Sequence, residues 1–179
     1  MGWLQNLDSG LLFLIQDHLV TPLLNPIMLF FSTIGNVGAV WLVLGMALLF
    51  VKKYRRVGIA VLLAVALCFV LGNISLKPLF ARPRPCWLYP EVPLLLPNPT
   101  DFSFPSGHTM GSFGAAGALL GMKHKLALPA LALAAMIGFS RLYLFVHFPS
   151  DVLAGAVLGL MLGVLSAWMV QQIRDKRLA

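Results

Sequence analysis

Charge is scarce in this chain. Only 11% of its 179 residues carry it, and only six of those are acidic. Soluble domains carry roughly 25% charged residues, so a surface facing water on all sides is excluded. Cysteine is almost absent too. Cys68 falls inside a long apolar run and Cys86 beyond its edge, and bridging needs Cα atoms within about 7 Å. No disulfide is expected, and Cys68 reads as a small apolar filler. A basic n-region and a small-residue cleavage site are also missing from the first twenty residues, which hold Asp8, Asp17 and His18, so no cleavable signal peptide is expected. Neither an internal repeat nor a low-complexity stretch is visible.

What the chain does have is apolar length. With 59% hydrophobic residues and a mean hydropathy of +0.88, it reads as an all-α polytopic transmembrane bundle forming one domain over residues 1–179. At about 20 residues per crossing, five spans and an N-terminal interfacial helix fit. Residues 3–20 are too polar to cross and read as an amphipathic helix at the membrane surface. Thr21-Pro22 and Asn25-Pro26 then punctuate the chain, since a residue before proline avoids helical geometry, and residues 1–36 form the N-terminal segment. Spans are expected at about 37–51, 57–76, 107–122, 126–146 and 152–170, with a long loop over 78–105. The first span is able to borrow turns from residues 23–34. Gly155, Gly159 and Gly163 recur every fourth residue, and Gly107, Gly111, Gly117 and Gly121 stud another span, a spacing that lets helix backbones approach closely in lipid.

The net charge of +7 is not a nucleic-acid signal, because basic residues of membrane proteins gather in cytoplasmic loops. Nine of the 13 Lys and Arg residues (positions 52, 53, 55, 56, 123, 125, 174, 176 and 177) fall on one expected face. The other four, Lys77, Arg82, Arg84 and Arg141, fall on the opposite face with five of the six acids. That face is therefore extracytoplasmic and the C-terminus cytoplasmic.

Those four cations lie in or beside three polar stretches: Lys77 with Arg84-Pro85, Pro105-Ser106-Gly107-His108, and Ser140-Arg141 with His147 and Asp151. A charge at the edge of a span is costly without a partner or a use. Arginine forks and a lysine point charge suit the oxygens of a phosphoryl group. A helix start after Ser106 offers free N–H groups to an anion, with Ser106 as cap and Gly107 allowing close approach. His108 stands there to protonate a leaving oxygen. His147 and Asp151 are four apart, so the carboxylate is able to aim the imidazole, and Asp151 is equally able to cap a helix. Snorkelling to headgroups accounts for any one cation but not for the histidines. A metal is the competing use of His and Asp. Three cations would repel one, and no further carboxylate is close in sequence, so neither metal nor cofactor is expected. His18 and His124 read as surface residues.

On these motifs the chain resembles the type 2 phosphatidic acid phosphatase superfamily, which also holds the vanadium haloperoxidases. The pattern Lys-x6-Arg-Pro, Pro-Ser-Gly-His, Ser-Arg-x5-His-x3-Asp is met at every defined position, and the compact forms of about five spans are the nearest in layout. The resemblance implies a metal-independent phosphatase with a haloperoxidase-like core. His147 would be nucleophile, Asp151 its orienting partner and His108 the acid, while Lys77, Arg84, Ser106, Gly107 and Arg141 would cradle phosphate. Arg82-Pro83 is a second Arg-Pro two residues early, and the family spacing selects Arg84. The resemblance also implies a lipid phosphate or diphosphate substrate, membrane lipids as surroundings and no nucleic-acid partner. Undecaprenyl diphosphate leads, with phosphatidylglycerophosphate, phosphatidic acid and lipid A phosphate as alternatives. A phosphotransferase, a haloperoxidase and a non-enzymatic lipid transporter are the rival readings. The loop Cys86–Phe104, with Trp87, Tyr89, Leu94 to Leu96 and Phe102, reads as a lid or acyl guide.

Overall fold

The computed structural model describes residues 2–175, and Lys176 and Arg177 of the expected cytoplasmic set lie outside it. Helices are α1 (Trp3–Leu19), α2 (Asn25–Ile34), α3 (Ala39–Phe50), α4 (Arg55–Cys68), α5 (Lys77–Phe80), α6 (Pro85–Leu88), α7 (Gly107–Gly121), α8 (Ala127–Tyr143) and α9 (Pro149–Asp175). Among the described residues there is no strand.

Helix α7 is the axis of the bundle, packed against α4, α8 and α9. Its seam with α9 is built from missing side chains. A Cβ at Gly117 would come within 2.7 Å of the Leu160 carbonyl, and one at Gly155 within 2.9 Å of the Ser106 carbonyl. At Gly159 and Gly163 it would strike the α7 backbone at Met110 and Gly114. The four-residue glycine spacing thus marks close helix packing. The α7 glycines are mixed: Gly111 faces open space, and Gly107 faces Asn73.

Among the described residues two stretches are long and apolar enough to cross a membrane alone, Lys52–Leu88 and Pro149–Ile173. The pair Asn25–Ile34 and Asn36–Phe50, bent by 48°, passes only as a unit. Helices thus occupy all five expected places, but two or three of them meet the measure of a span. At 15 residues α7 falls short, and it is ringed by protein, so it need not present an apolar face to lipid. The bend in the first pair has a local cause. Val37 (φ 53°) and Gly38 (φ 71°) take the left-handed conformation between the two halves, which interrupts the helix and is strained for a β-branched residue.

Helix α4 runs on through a π-helical stretch, Phe69–Leu76, into α5. Such widened turns are frequent at functional sites, and this one directs Phe69, Asn73 and Lys77 to a common cavity. Helix α1 is more than a surface strap. Leu12 is fully buried in an apolar cluster with Met28, Cys86, Phe148 and residues 143–146, and Asp8 is buried as well. The loop after α6 folds onto the same cluster. The Tyr89 ring meets Phe13 edge-on at 5.1 Å, and its hydroxyl donates to Ser9 at 3.0 Å. Tyr89 is thus turned inward while Phe102 and Leu95 stay exposed, and the loop reaches the cavity through Pro99 and Asp101.

Candidate active site

The ends of α4–α5, α6, α7 and α8 and the 144–148 turn close around one cavity of about 260 Å³. Lys77, Arg84, Gly107, His108, Arg141 and His147 all line it. The cations are almost wholly inside, at 6%, 2% and 5% exposure for Lys77, Arg84 and Arg141. Ser106 and Asp151, both fully buried, stand behind this lining. Val37, Val65 and Phe69 add apolar lining.

Arg84 is held on three sides. Its Nε donates to the Asp101 carbonyl at 2.7 Å, Nη1 to the Val146 carbonyl at 2.7 Å and Nη2 to the Asp101 carboxylate at 2.6 Å. Nη1 also lies 3.1 Å from His147 Nε2. Lys77 binds the second Asp101 oxygen, so one carboxylate spans two cations at the cavity. Burial alone would raise the Asp101 pKa, but the Lys77 hydrogen bond and the Arg84 and Lys77 charges outweigh it and bring it down to about 2. Arg141 donates to Ser32 on α2, while its buried Nε has no partner among the described residues.

His147 presents Nε2 to the cavity and Nδ1 to the protein. Nδ1 lies 3.7 Å from the Asp151 carboxylate, beyond a direct hydrogen bond, and the Ser103 hydroxyl stands between them. Ser103 Oγ is 3.4 Å from Nδ1 and donates to Asp151 at 2.5 Å. Ser103 therefore links Asp151 to the imidazole, a correction to the direct contact expected from the four-residue spacing. That spacing does bring the residues together, but the 144–148 turn sets the ring slightly too far away. Asp151 also accepts from the Phe148 N–H at 2.9 Å and so caps α9 as expected. Burial, and then the Arg84, Arg141, Lys77 and His108 charges, hold the His147 pKa well below its ordinary value. The imidazole is accordingly neutral, and its Nε2 faces Arg84 at the cavity.

Ser106 takes the N-cap position of α7, but its hydroxyl makes no capping hydrogen bond. It accepts from Thr109 at 2.9 Å instead, because the compact Pro105–Gly107 turn directs it back along the helix. Its N–H donates to the Asp151 carbonyl at 3.1 Å, tying the start of α7 to α9. On the first turn His108 places Nε2 2.8 Å from Asn36 Oδ1. Elsewhere His18 is exposed, and His124 packs against Tyr54 near the basic loops at 4.9 Å between rings. Cys68 and Cys86 are buried thiols.

A sequence model of the family described as the PAP2 superfamily matches residues 54–175, well over half of the chain. The chain belongs to the PAP2 superfamily. It is 34% identical over 168 residues to an undecaprenyl-diphosphatase of Sulfolobus acidocaldarius, covering 93% of this chain and 81% of that protein. Among solved structures it is similar to a transmembrane PAP2 type phosphatidylglycerolphosphate phosphatase from Bacillus subtilis, with a TM-score of 0.76 and 27% identity over 98% of this chain and 88% of that one. Aquifex aeolicus LpxE is also similar, with a TM-score of 0.72 and 34% identity over 89% and 94% of the two chains. The protein is a PAP2-type membrane phosphatase.

Around the PAP2 motifs the structure adds residues to which sequence reasoning assigned no role, Ser103, Asp101, Asp8, Asn36 and Ser32, and gives Arg82, set aside there in favour of Arg84, a partner in Asp8. Asp101 and Ser103 were within reach, because they stand two apart in the polar stretch Asn98–Ser103 just before Pro105. Asp8, Ser32 and Asn36 carried no such signal, since their partners are 70 or more residues away. Among the described residues no group of three His, Cys, Asp or Glu side chains is placed to hold a metal.

Proposed function

We propose that the protein hydrolyses the terminal phosphate of a membrane lipid diphosphate, undecaprenyl diphosphate to undecaprenyl phosphate, through a phosphohistidine at His147. The observation that carries this is the neutral His147 Nε2 turned into a cavity ringed by Lys77, Arg84 and Arg141, with His108 on the same wall. Preorganised cations stabilise the charge that spreads over three phosphoryl oxygens in displacement. Nε2 attacks phosphorus, and the bridging P–O bond breaks as His108 gives its proton to the departing lipid phosphate. Water then attacks the phosphohistidine. His108 takes a proton from that water, the P–N electron pair returns to His147, and inorganic phosphate leaves. The free N–H groups at the start of α7 add donors to the seat at Gly107, while Ser106 supports it from behind.

The apolar lining from Val37, Val65 and Phe69 in the same cavity as the cations suits a substrate with a phosphate head and an isoprenoid tail. The Sulfolobus relative, matched over most of both chains, supports undecaprenyl diphosphate, and the Bacillus structure supports phosphatidylglycerophosphate as the second reading. The basic loops at Lys52–Arg56 and Lys123–Lys125 meet through Tyr54 and His124, at the other end of α4 and α7 from the cavity. The positive-inside rule makes that end cytoplasmic, so the cavity opens extracytoplasmically.

Detergent-purified protein given undecaprenyl diphosphate, phosphatidylglycerophosphate, phosphatidic acid and lipid A phosphate in EDTA tests this, with His147→Ala in parallel. Fastest phosphate release from undecaprenyl diphosphate, absent in the variant, is expected. Preference for another lipid replaces the substrate, and loss of activity in EDTA removes the mechanism.

A further inference from the structure

Arg82 and Arg84 are two residues apart, each before a proline, yet they serve opposite sides of His147. Arg84 faces the cavity, whereas Arg82 runs behind it. Its Nη1 donates to Asp151 Oδ1 at 2.6 Å and to Ser150 Oγ at 2.7 Å. Nη2 donates to Asp8 Oδ2 at 2.7 Å and to Gln5 Oε1 at 3.0 Å. The guanidinium lies over the Phe148 ring, 4.3 Å from its centroid. Asp8 in turn accepts from the Ser150 N–H at 2.9 Å and from its hydroxyl. Both carboxylates are buried, at 2% and 0% exposure.

We infer that Arg82, held by Asp8 of the N-terminal helix, is the positioning residue that fixes Asp151 and through it the nucleophilic imidazole. Asp151 has two oxygens with divided duties. Oδ2 accepts from Ser103 and the Phe148 N–H, on the side of His147. Oδ1 faces away and is gripped by Arg82. Without that grip the buried carboxylate rotates toward whatever donor remains, and the Ser103 contact that aims Nδ1 loosens. Asp8 keeps Arg82 from folding wholly onto Asp151, because the fork is stretched between two carboxylates. Helix α1 thereby becomes part of the catalytic scaffold: Asp8 is the charge it buries there.

This inference rests on the assignment of His147 and Asp151 above, and a mutant cycle separates the two. Phosphate release from undecaprenyl diphosphate is followed for wild type, R82Q, R82K, D8N, D151N, D151N/R82Q and H147A. R82Q and D8N are expected to lower kcat by about 10-fold to about 100-fold, as loss of an outer partner of a reacting group does, with KM within about 3-fold. R82K restores part of kcat by keeping the charge. On the D151N background, R82Q adds no further loss, because a residue acting through Asp151 has nothing left to position. A merely structural arginine would lower D151N by the same factor as wild type, and that result overturns the inference. So does a raised KM at unchanged kcat, which would make Arg82 a substrate ligand like Arg84. Should R82Q not fold, the isosteric D8N and D151N/D8N carry the same cycle. Retained activity in H147A would instead sink the site assignment itself.

Discussion

Between α7 and α9 the helices are joined by what glycine leaves out, and behind His147 they are joined by what polar side chains put in. Along the seam, Gly155, Gly159 and Gly163 bring two backbones together with nothing between them. Around His147, Asp8, Arg82, Ser103, Ser150 and Asp151 come from three parts of the chain and satisfy one another's donors and acceptors. The seam is sensitive to volume and indifferent to charge, whereas the shell is sensitive to a lost partner. On the proposed mechanism each fixes a different half of the chemistry. The seam holds the start of α7, and so His108, against α9; the shell aims His147 across the same cavity.

The sharpest break in this comparison is the loss of the group that both regions serve. His147→Ala is expected to lower kcat by about 1,000-fold or more at unchanged melting temperature, the scale seen when a nucleophile is removed. Phosphate release under single-turnover conditions reads it, and a residual rate within about 10-fold of wild type would mean another group attacks. Next is Gly163→Val. Its branches would enter the α7 backbone at Gly114 and Ala118, costing about 3 kcal/mol. Thermal unfolding in detergent measures that cost, and a wild-type midpoint would show the seam to be slack.

Ser103→Ala tests the shell without adding volume. The expected effect is a fall in kcat of about 10-fold with KM held, since the buried Asp151 oxygen loses one donor. Asp101→Asn bears on the cavity. The carboxylate competes with an incoming phosphate for Lys77 and Arg84, so its neutralisation is expected to tighten inhibition by inorganic phosphate about 5-fold. Weaker inhibition would instead make Asp101 an aligner of the cations.

The smallest effect is on pH dependence. In the proposed mechanism His147 attacks as the neutral imidazole, and its pKa is depressed below the ordinary 6.5. It therefore stays reactive as pH falls through that value and is lost only lower. Once the substrate's own ionisation is subtracted, kcat/KM is expected to hold flat from about pH 8 to about 6.5. An acid limb centred at 6.5 or above would show that His147 is not buried among the cations.

Much of the fold was readable because its signals are local. Apolar run length marks helices, and proline, glycine and basic clusters mark their ends. The glycine period of α9 announced a close neighbour without saying which helix it was. The 48° break at Val37-Gly38 was half visible in Gly35-Asn36, but its left-handed backbone at a valine was not, because nothing local favours it. Lys77, Arg84, His108, Arg141 and His147 declared themselves as charges out of place in apolar surroundings.

Composition and motif order by themselves determined that this is a membrane helix bundle of the PAP2 kind with a cluster of cations at one site. Each of those properties comes from where polar residues interrupt apolar ones along a single chain. Tertiary structure alone decided that Ser103 stands between His147 and Asp151, that Asp101 bridges Lys77 and Arg84, and that Arg82 turns away to meet Asp8. A hydrogen bond is settled by tenths of an ångström between groups up to 142 residues apart, and sequence spacing does not encode separations on that scale.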